Sequence, residues 1–193
     1  ARVPDVPPPS RETLDASIRK AADFLLKEQN RDGSWGNHTR TKGLNVLCPY
    51  PEGPRSFRTA STSLCVIGLL TSPLKEDPAV KASLDKALQY LLTTLPTLKR
   101  GDTRTVLGVW GHAYGLSALS RAARNLPADA PLREELKKVA SLQVKALDQM
   151  ADVQGGWGYY TFETFSKRPI GEPTSFLTAT VLLAYKDAEQ AFG

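Results

Sequence analysis

His112 is the residue of this chain best suited to acid–base chemistry. It lies in Trp110-Gly111-His112-Ala113-Tyr114-Gly115, where neighbouring glycines leave room beside the ring. An imidazole titrates near neutral pH, so it can pass a proton or anchor a polar ligand. The competing reading is a core histidine hydrogen-bonded to a loop carbonyl. His38 is the other histidine, and with Cys48 it makes a loosely spaced metal pair. A third ligand is not identifiable, so no metal and no cofactor are expected. Cys48 and Cys65 lack C-x-x-C spacing and form either one disulfide or two free thiols, with Cys65 in a helix core.

The bulk properties exclude several classes of function. The chain has 193 residues and a net charge of +5, with Lys and Arg mixed among Asp and Glu. No basic run of the kind that marks a nucleic-acid partner is present. No stretch approaches the roughly 18 apolar residues of a membrane span. The start, Ala1-Arg2-Val3-Pro4, fits either a mature end left by signal-peptide removal, hence export, or a boundary cut into a longer chain. Residues 1–10 carry Pro4, Pro7, Pro8 and Pro9 and should form an extended arm outside the core. Residues 11–193 then form one domain.

Hydrophobic periodicity predicts six helices. The first runs from about residue 11 to Glu28, with Ser10 as N-cap and Leu14, Ile18, Ala21, Ala22, Leu25 and Leu26 on one stripe. Asp32-Gly33 turns the chain out of it. The second spans about Phe57 to Leu70, after a long loop rich in Gly and Pro. The third spans about Pro78 to Leu95, the fourth about Val109 to Ala123, and the fifth about Pro131 to Met150. The sixth spans about Thr174 to Glu189; its β-branched residues suggest a strand, but the run is too long for one. The odd-numbered helices are amphipathic, whereas the even-numbered ones are apolar or small nearly all round. That alternation predicts an all-α fold of three helical hairpins in two layers, as in an α/α barrel or toroid, or an α-solenoid.

A G-x-W-G motif occurs three times, at Gly33–Gly36, Gly108–Gly111 and Gly155–Gly158. Gly permits the positive φ of a sharp helix exit. The Trp then folds back on the helix end with its indole N–H paired. The primary role expected for Gln29, Gly33, Trp35, Gly108, Trp110, Gly155 and Trp157 is therefore that of a structural turn clamp. Gln29…Gly33…Trp35 resembles the Q-x-x-x-G-x-W repeat of squalene–hopene and oxidosqualene cyclases and of the related prenyltransferase β-subunits. The copies at Trp110 and Trp157 keep G-x-W but have Arg104 and Ala151 in place of Gln.

The resemblance implies an α/α-toroid, here a half-barrel of six helices where full toroids use about twelve. It also implies a central cup near the N-termini of the inner helices. Carried onto this chain, that picks Arg55, Arg58, Thr59, Trp110, His112, Tyr114, Glu172 and Thr174. Trp35, His38, Tyr50, Trp157, Tyr159 and Tyr160 would line the rim. The catalytic signatures of the family do not accompany these residues. No D-x-D-D acid motif and no D-D-x-x-D metal motif occurs; Asp129 stands alone. The expectation is therefore an apolar or isoprenoid-type ligand held in an aromatic cup, with enzymatic activity undecided. A protein-interaction or self-assembly module, including a homo-oligomer, is one alternative. A carbohydrate-active α/α-barrel enzyme is another, for which only Glu172 and Glu163 are placed as a carboxylate pair.

Overall fold

A computed structural model describes residues 7–37, 51–100, 105–160 and 171–193 of the chain. The described residues form six α-helices and no strand. The helices are α1 (Arg11–Glu28), α2 (Glu52–Thr71), α3 (Pro78–Thr94), α4 (Gly108–Arg124), α5 (Pro131–Met150) and α6 (Ser175–Phe192). A 3-10 turn, Leu95–Thr97, follows α3. His38, Cys48, Tyr50, Arg104 and Glu163 lie outside the described residues.

Local chemistry accounts for the helix ends. The Ser10 hydroxyl accepts from Thr13 N–H at 3.2 Å and caps α1. Asp77 does the same for α3 through Ala79 N–H at 2.9 Å, with Pro78 in the first turn. Arg133 on α5 donates to the carbonyls of Ala123 and Ala191 at 2.5 and 2.6 Å. One cation thereby bonds carbonyls at the C-terminal ends of both α4 and α6. Helix α2 starts at Glu52, more than a turn before the expected Phe57. Pro54 falls within its first turn, where no backbone N–H is needed, so the proline does not delay the helix.

The helices pack in two rows. Helices α2, α4 and α6 lie side by side, with α4 between the other two, and α1, α3 and α5 form the second row. In the second row α3 packs chiefly on α2, α5 chiefly on α4, and α1 against α3. Every residue of α4 is buried except Trp110, Tyr114, Arg121 and Arg124. Its glycines permit this. A Cβ on Gly111 would come within 2.8 Å of both Leu98 and Ser56, and one on Gly115 would collide with Leu95.

The expected burial on most sides holds for α4 but not for α6. Helix α6 buries one stripe, Leu177, Val181, Ala184 and Ala191, and leaves Phe176, Leu182 and Leu183 53%, 56% and 62% exposed. An apolar sequence records what a helix is able to bury, and α6 has no neighbour on its far side among the described residues. Cys65 carries a free thiol, and burial pushes it up to about 11.

Candidate functional site

Two of the three G-x-W-G copies form corners built on the same set of hydrogen bonds from tryptophan and turn. At the first, Gly33 takes φ +87° and the Trp35 indole N–H donates to the Leu25 carbonyl, ten residues back, at 2.7 Å. At the last, Gly155 takes φ +95° and the Trp157 indole donates to the Leu147 carbonyl, again ten residues back, at 2.8 Å. The backbone N–H of each Trp donates to a threonine hydroxyl on the next helix, Thr62 or Thr178, at 3.0 Å in both. Asn30 N–H to Ser34 and Asp152 N–H to Gly156 close the two turns at 2.9 Å each. Both tryptophans are buried, so neither lines a rim.

Gln29 has a longer reach than its own turn. Its amide donates to the Gly33 carbonyl and to the Ser83 carbonyl on α3, both at 2.9 Å, and its oxygen accepts from Ser83 Oγ at 2.9 Å. It therefore locks the corner to the next helix of the second row. Ala151 holds the equivalent place at the last corner. There Asp152, 5% exposed, braces the loop instead, with one oxygen on Gln154 N–H and the other on Gly171 N–H, both at 2.8 Å.

The middle copy is not a corner. Gly108, Trp110 and Gly111 lie in the first turn of α4, and Trp110 is half-buried on the face of that row. Its motif matches because helix-start glycines and corner glycines look alike in sequence. Instead of clamping a turn, Trp110 centres a cluster of rings. It stacks on Tyr114 (5.5 Å between centroids) and on Phe176 (6.0 Å), and meets Tyr159 at a tilt (6.0 Å). Tyr159 also contacts Phe176 and Tyr160. The loop bearing Tyr159 is pinned in front of α4, because Val106 N–H donates to the Tyr159 carbonyl at 2.6 Å. Tyr160 is 44% exposed and Phe176 53%.

The remaining candidates are distributed differently. His112 points away from this cluster into the α4–α5 interface and is 3% exposed. Its Nδ1 pairs with Gln143 Oε1 at 2.7 Å, while Gln143 donates to the Val139 carbonyl. This pairing makes Nδ1 the protonated nitrogen and Nε2 a bare acceptor, which has no partner among the described residues. Burial lowers the pKa of His112, partly opposed by the Gln143 bond, so it stays neutral. Arg58 forks onto both Asp32 oxygens at 3.0 and 2.8 Å and lies over the Tyr90 ring, joining the first corner to α3. Arg55 bonds Thr97 and pairs with Glu52, and the Thr59 hydroxyl donates to the Arg55 carbonyl. Glu172 is exposed, and the Thr174 hydroxyl is buried.

The structure thus brings Trp110, Tyr114, Tyr159 and Tyr160 together and separates them from His112. Two participants escaped the sequence reading. Phe176 opens α6 much as Trp110 opens α4, a parallel that a comparison of helix starts would have found. Gln143 interrupts the apolar stripe Leu136, Val139, Leu147, Met150 and so marks a polar partner across the interface. Chemically, the cluster offers exposed ring faces and edges that suit apolar or planar groups. Its phenols are the only titratable groups among its members. No three His, Cys, Asp or Glu side chains among the described residues are grouped to hold a metal, and no described helix is long and apolar enough to cross a membrane. The fold and corners define an all-α protein of helical hairpins. The chain matches no family model and no solved structure.

Proposed function

We propose that this chain is a helical-hairpin repeat domain of the α/α-toroid type, related to the squalene-cyclase and prenyltransferase architectures. On this reading it binds an apolar, isoprenoid-type ligand against the rings of Trp110, Tyr114, Tyr159 and Phe176. The observation that carries the reading is the ring cluster, half-buried and partly open at the starts of α4 and α6. Large rings left partly exposed together suit a surface awaiting an apolar partner. The two corners with matching tryptophan clamps support the toroid-type repeat. His112 is buried on the α5 side of α4, away from the ring face, and its burial disfavours the charged form, which favours binding over proton-transfer chemistry at the cluster.

Tryptophan fluorescence tests this directly, because Trp35 and Trp157 are buried and Trp110 alone of the three is half-exposed. Titration with farnesol should shift the emission to the blue and protect it from acrylamide quenching, more than straight-chain dodecanol does. Trp110→Ala should remove the response, and Phe176→Ala should weaken binding about tenfold, as loss of one ring contact plus its buried area implies. Unchanged quenching up to the solubility limit of farnesol would reject the proposal. A soluble xylo-oligosaccharide protecting Trp110 where farnesol does not would favour the carbohydrate reading.

A further inference from the structure

The two matching corners differ in what sits on them. At the first, α3 covers the corner: Gln29 bonds Ser83, and Gly33 lies so close to the α3 backbone that a Cβ would sit 2.6 Å from the Lys86 carbonyl carbon. At the last, the place of Gln29 is taken by Ala151, and a Cβ on Gly155 would meet nothing among the described residues within 4 Å. The helices that follow repeat the contrast. Counting from the bonded threonines, Leu182 on α6 matches Val66 on α2; Val66 is fully buried and Leu182 is 56% exposed. Val144 on α5 matches Ala22 on α1, at 37% against 4% exposed. A largely apolar groove of about 750 Å³ runs between α5 and α6, lined by Val144, Leu182, Tyr185 and Phe192 together with Lys137, Lys186 and Glu189. It is the place that α3 fills one repeat pair earlier.

The chain also holds a helix shaped to fill it. Helix α1 is a sequence copy of α3 at a spacing of 66 residues. Ala16, Ser17, Lys20, Ala21, Leu25 and Leu26 repeat as Ala82, Ser83, Lys86, Ala87, Leu91 and Leu92, and Leu14 and Phe24 stand for Val80 and Tyr90. In α3 the members Val80, Ser83, Ala87, Leu91 and Leu92 are buried, with Val80 and Ala87 fully covered and Ser83 4% exposed, whereas Ala82 and Lys86 are exposed and Tyr90 is half-buried. In α1 the equivalents Leu14, Ser17, Ala21 and Phe24 face outward, with Leu14 48% and Phe24 62% exposed, while Leu25 and Leu26 are half-buried against the core. Among the described residues, the first helix is thus a docking helix without a groove, and the last hairpin is a groove without a docking helix.

We propose that the chain self-associates edge to edge, with α1 of one copy seated in the α5–α6 groove of the next. The contact continues across copies the α1–α2–α3 packing already present within one chain. Such a contact is heterologous, so it closes into a ring or, failing closure, extends. This proposal does not depend on the aromatic cluster or its ligand, which lie at other residues.

Sedimentation velocity over a micromolar concentration series tests it. The wild-type chain should sediment above the 21.0 kDa of one chain, as two or more copies. Phe24→Asp and Leu182→Asp should each weaken association about tenfold or more, with helical circular dichroism unchanged because both side chains are exposed. An equimolar mixture of the two variants should regain a two-chain species, since it restores one intact α1 and one intact groove. Leu14→Asp and Val144→Lys provide a second pair at the same edges. A monomer at every concentration would overturn the proposal. So would an oligomer that Phe24→Asp and Leu14→Asp leave intact, which would mean that the α6 faces meet each other.

Discussion

Gly33→Ala and Gly155→Ala make the same chemical change at corners that share their indole, threonine and turn-closing hydrogen bonds and differ in what covers them. Both glycines have positive φ, +87° and +95°. Forcing an L-residue into that region costs about 1–2 kcal/mol. For Gly155 that is the whole expected loss, because its Cβ enters open space. At Gly33 the new methyl carbon would lie 2.6 Å from the Lys86 carbonyl carbon and 3.1 Å from Ala87 N, both backbone atoms of α3. Backbone cannot swing aside as a flexible side chain can, so α3 must shift and part of its contact with α2 is lost. Overpacking of this kind costs a further 1–3 kcal/mol or so. The expected order is therefore Gly155→Ala at about 1–2 kcal/mol and Gly33→Ala at about 2–5 kcal/mol. Urea unfolding followed by far-UV circular dichroism measures both, made in a Leu182→Asp background so that association does not intervene. Equal losses, or a larger loss at Gly155, would refute the claim that α3 covers only the first corner.

Gln29→Ala removes three hydrogen bonds and strands Ser83, so it should cost about 2–4 kcal/mol. Hydrogen exchange should rise first in α1 and at the α3 segment around Ser83, and a uniform rise across α4–α6 would argue against the corner-to-helix lock. Acid should weaken the fold through His112. Its native pKa lies below the ordinary value of 6.5, so the unfolded chain binds the proton more readily. Stability from this source is complete above about 6.5 and declines as pH falls below it, by at most about 1.4 kcal/mol per pH unit. His112→Gln should flatten that part of the profile; an unchanged slope would show that the titrating group lies elsewhere.

Much of this molecule can be read directly from residue order. The stripe Leu14, Ile18, Ala22, Leu25 and the stop at Asp32-Gly33 determine α1 to the residue, because a 3.6-residue period and a turn dipeptide act locally. Likewise Pro131 and the Leu136, Val139, Leu147 spacing determine α5. The Gly–Trp corners are equally local, since indole and acceptor carbonyl are ten residues apart. What a side chain faces is not local. Trp110 and Trp157 share the same G-x-W-G surroundings, yet one is a ring-cluster centre and the other a buried clamp, because only the packing of α4 between α2 and α6 turns Trp110 outward. His112 lies beside Trp110 in sequence and on the opposite face in space, 200° around the helix at about 100° per residue. Its Gln143 partner is thirty-one residues away on α5. The bareness of α6 is decided in the same way: its residues are as apolar as a buried helix requires, and only the tertiary arrangement shows that no described helix covers its far face. Periodicity fixes which side of a helix can be buried, whereas burial itself needs a second surface, and that surface is set by the whole packing arrangement.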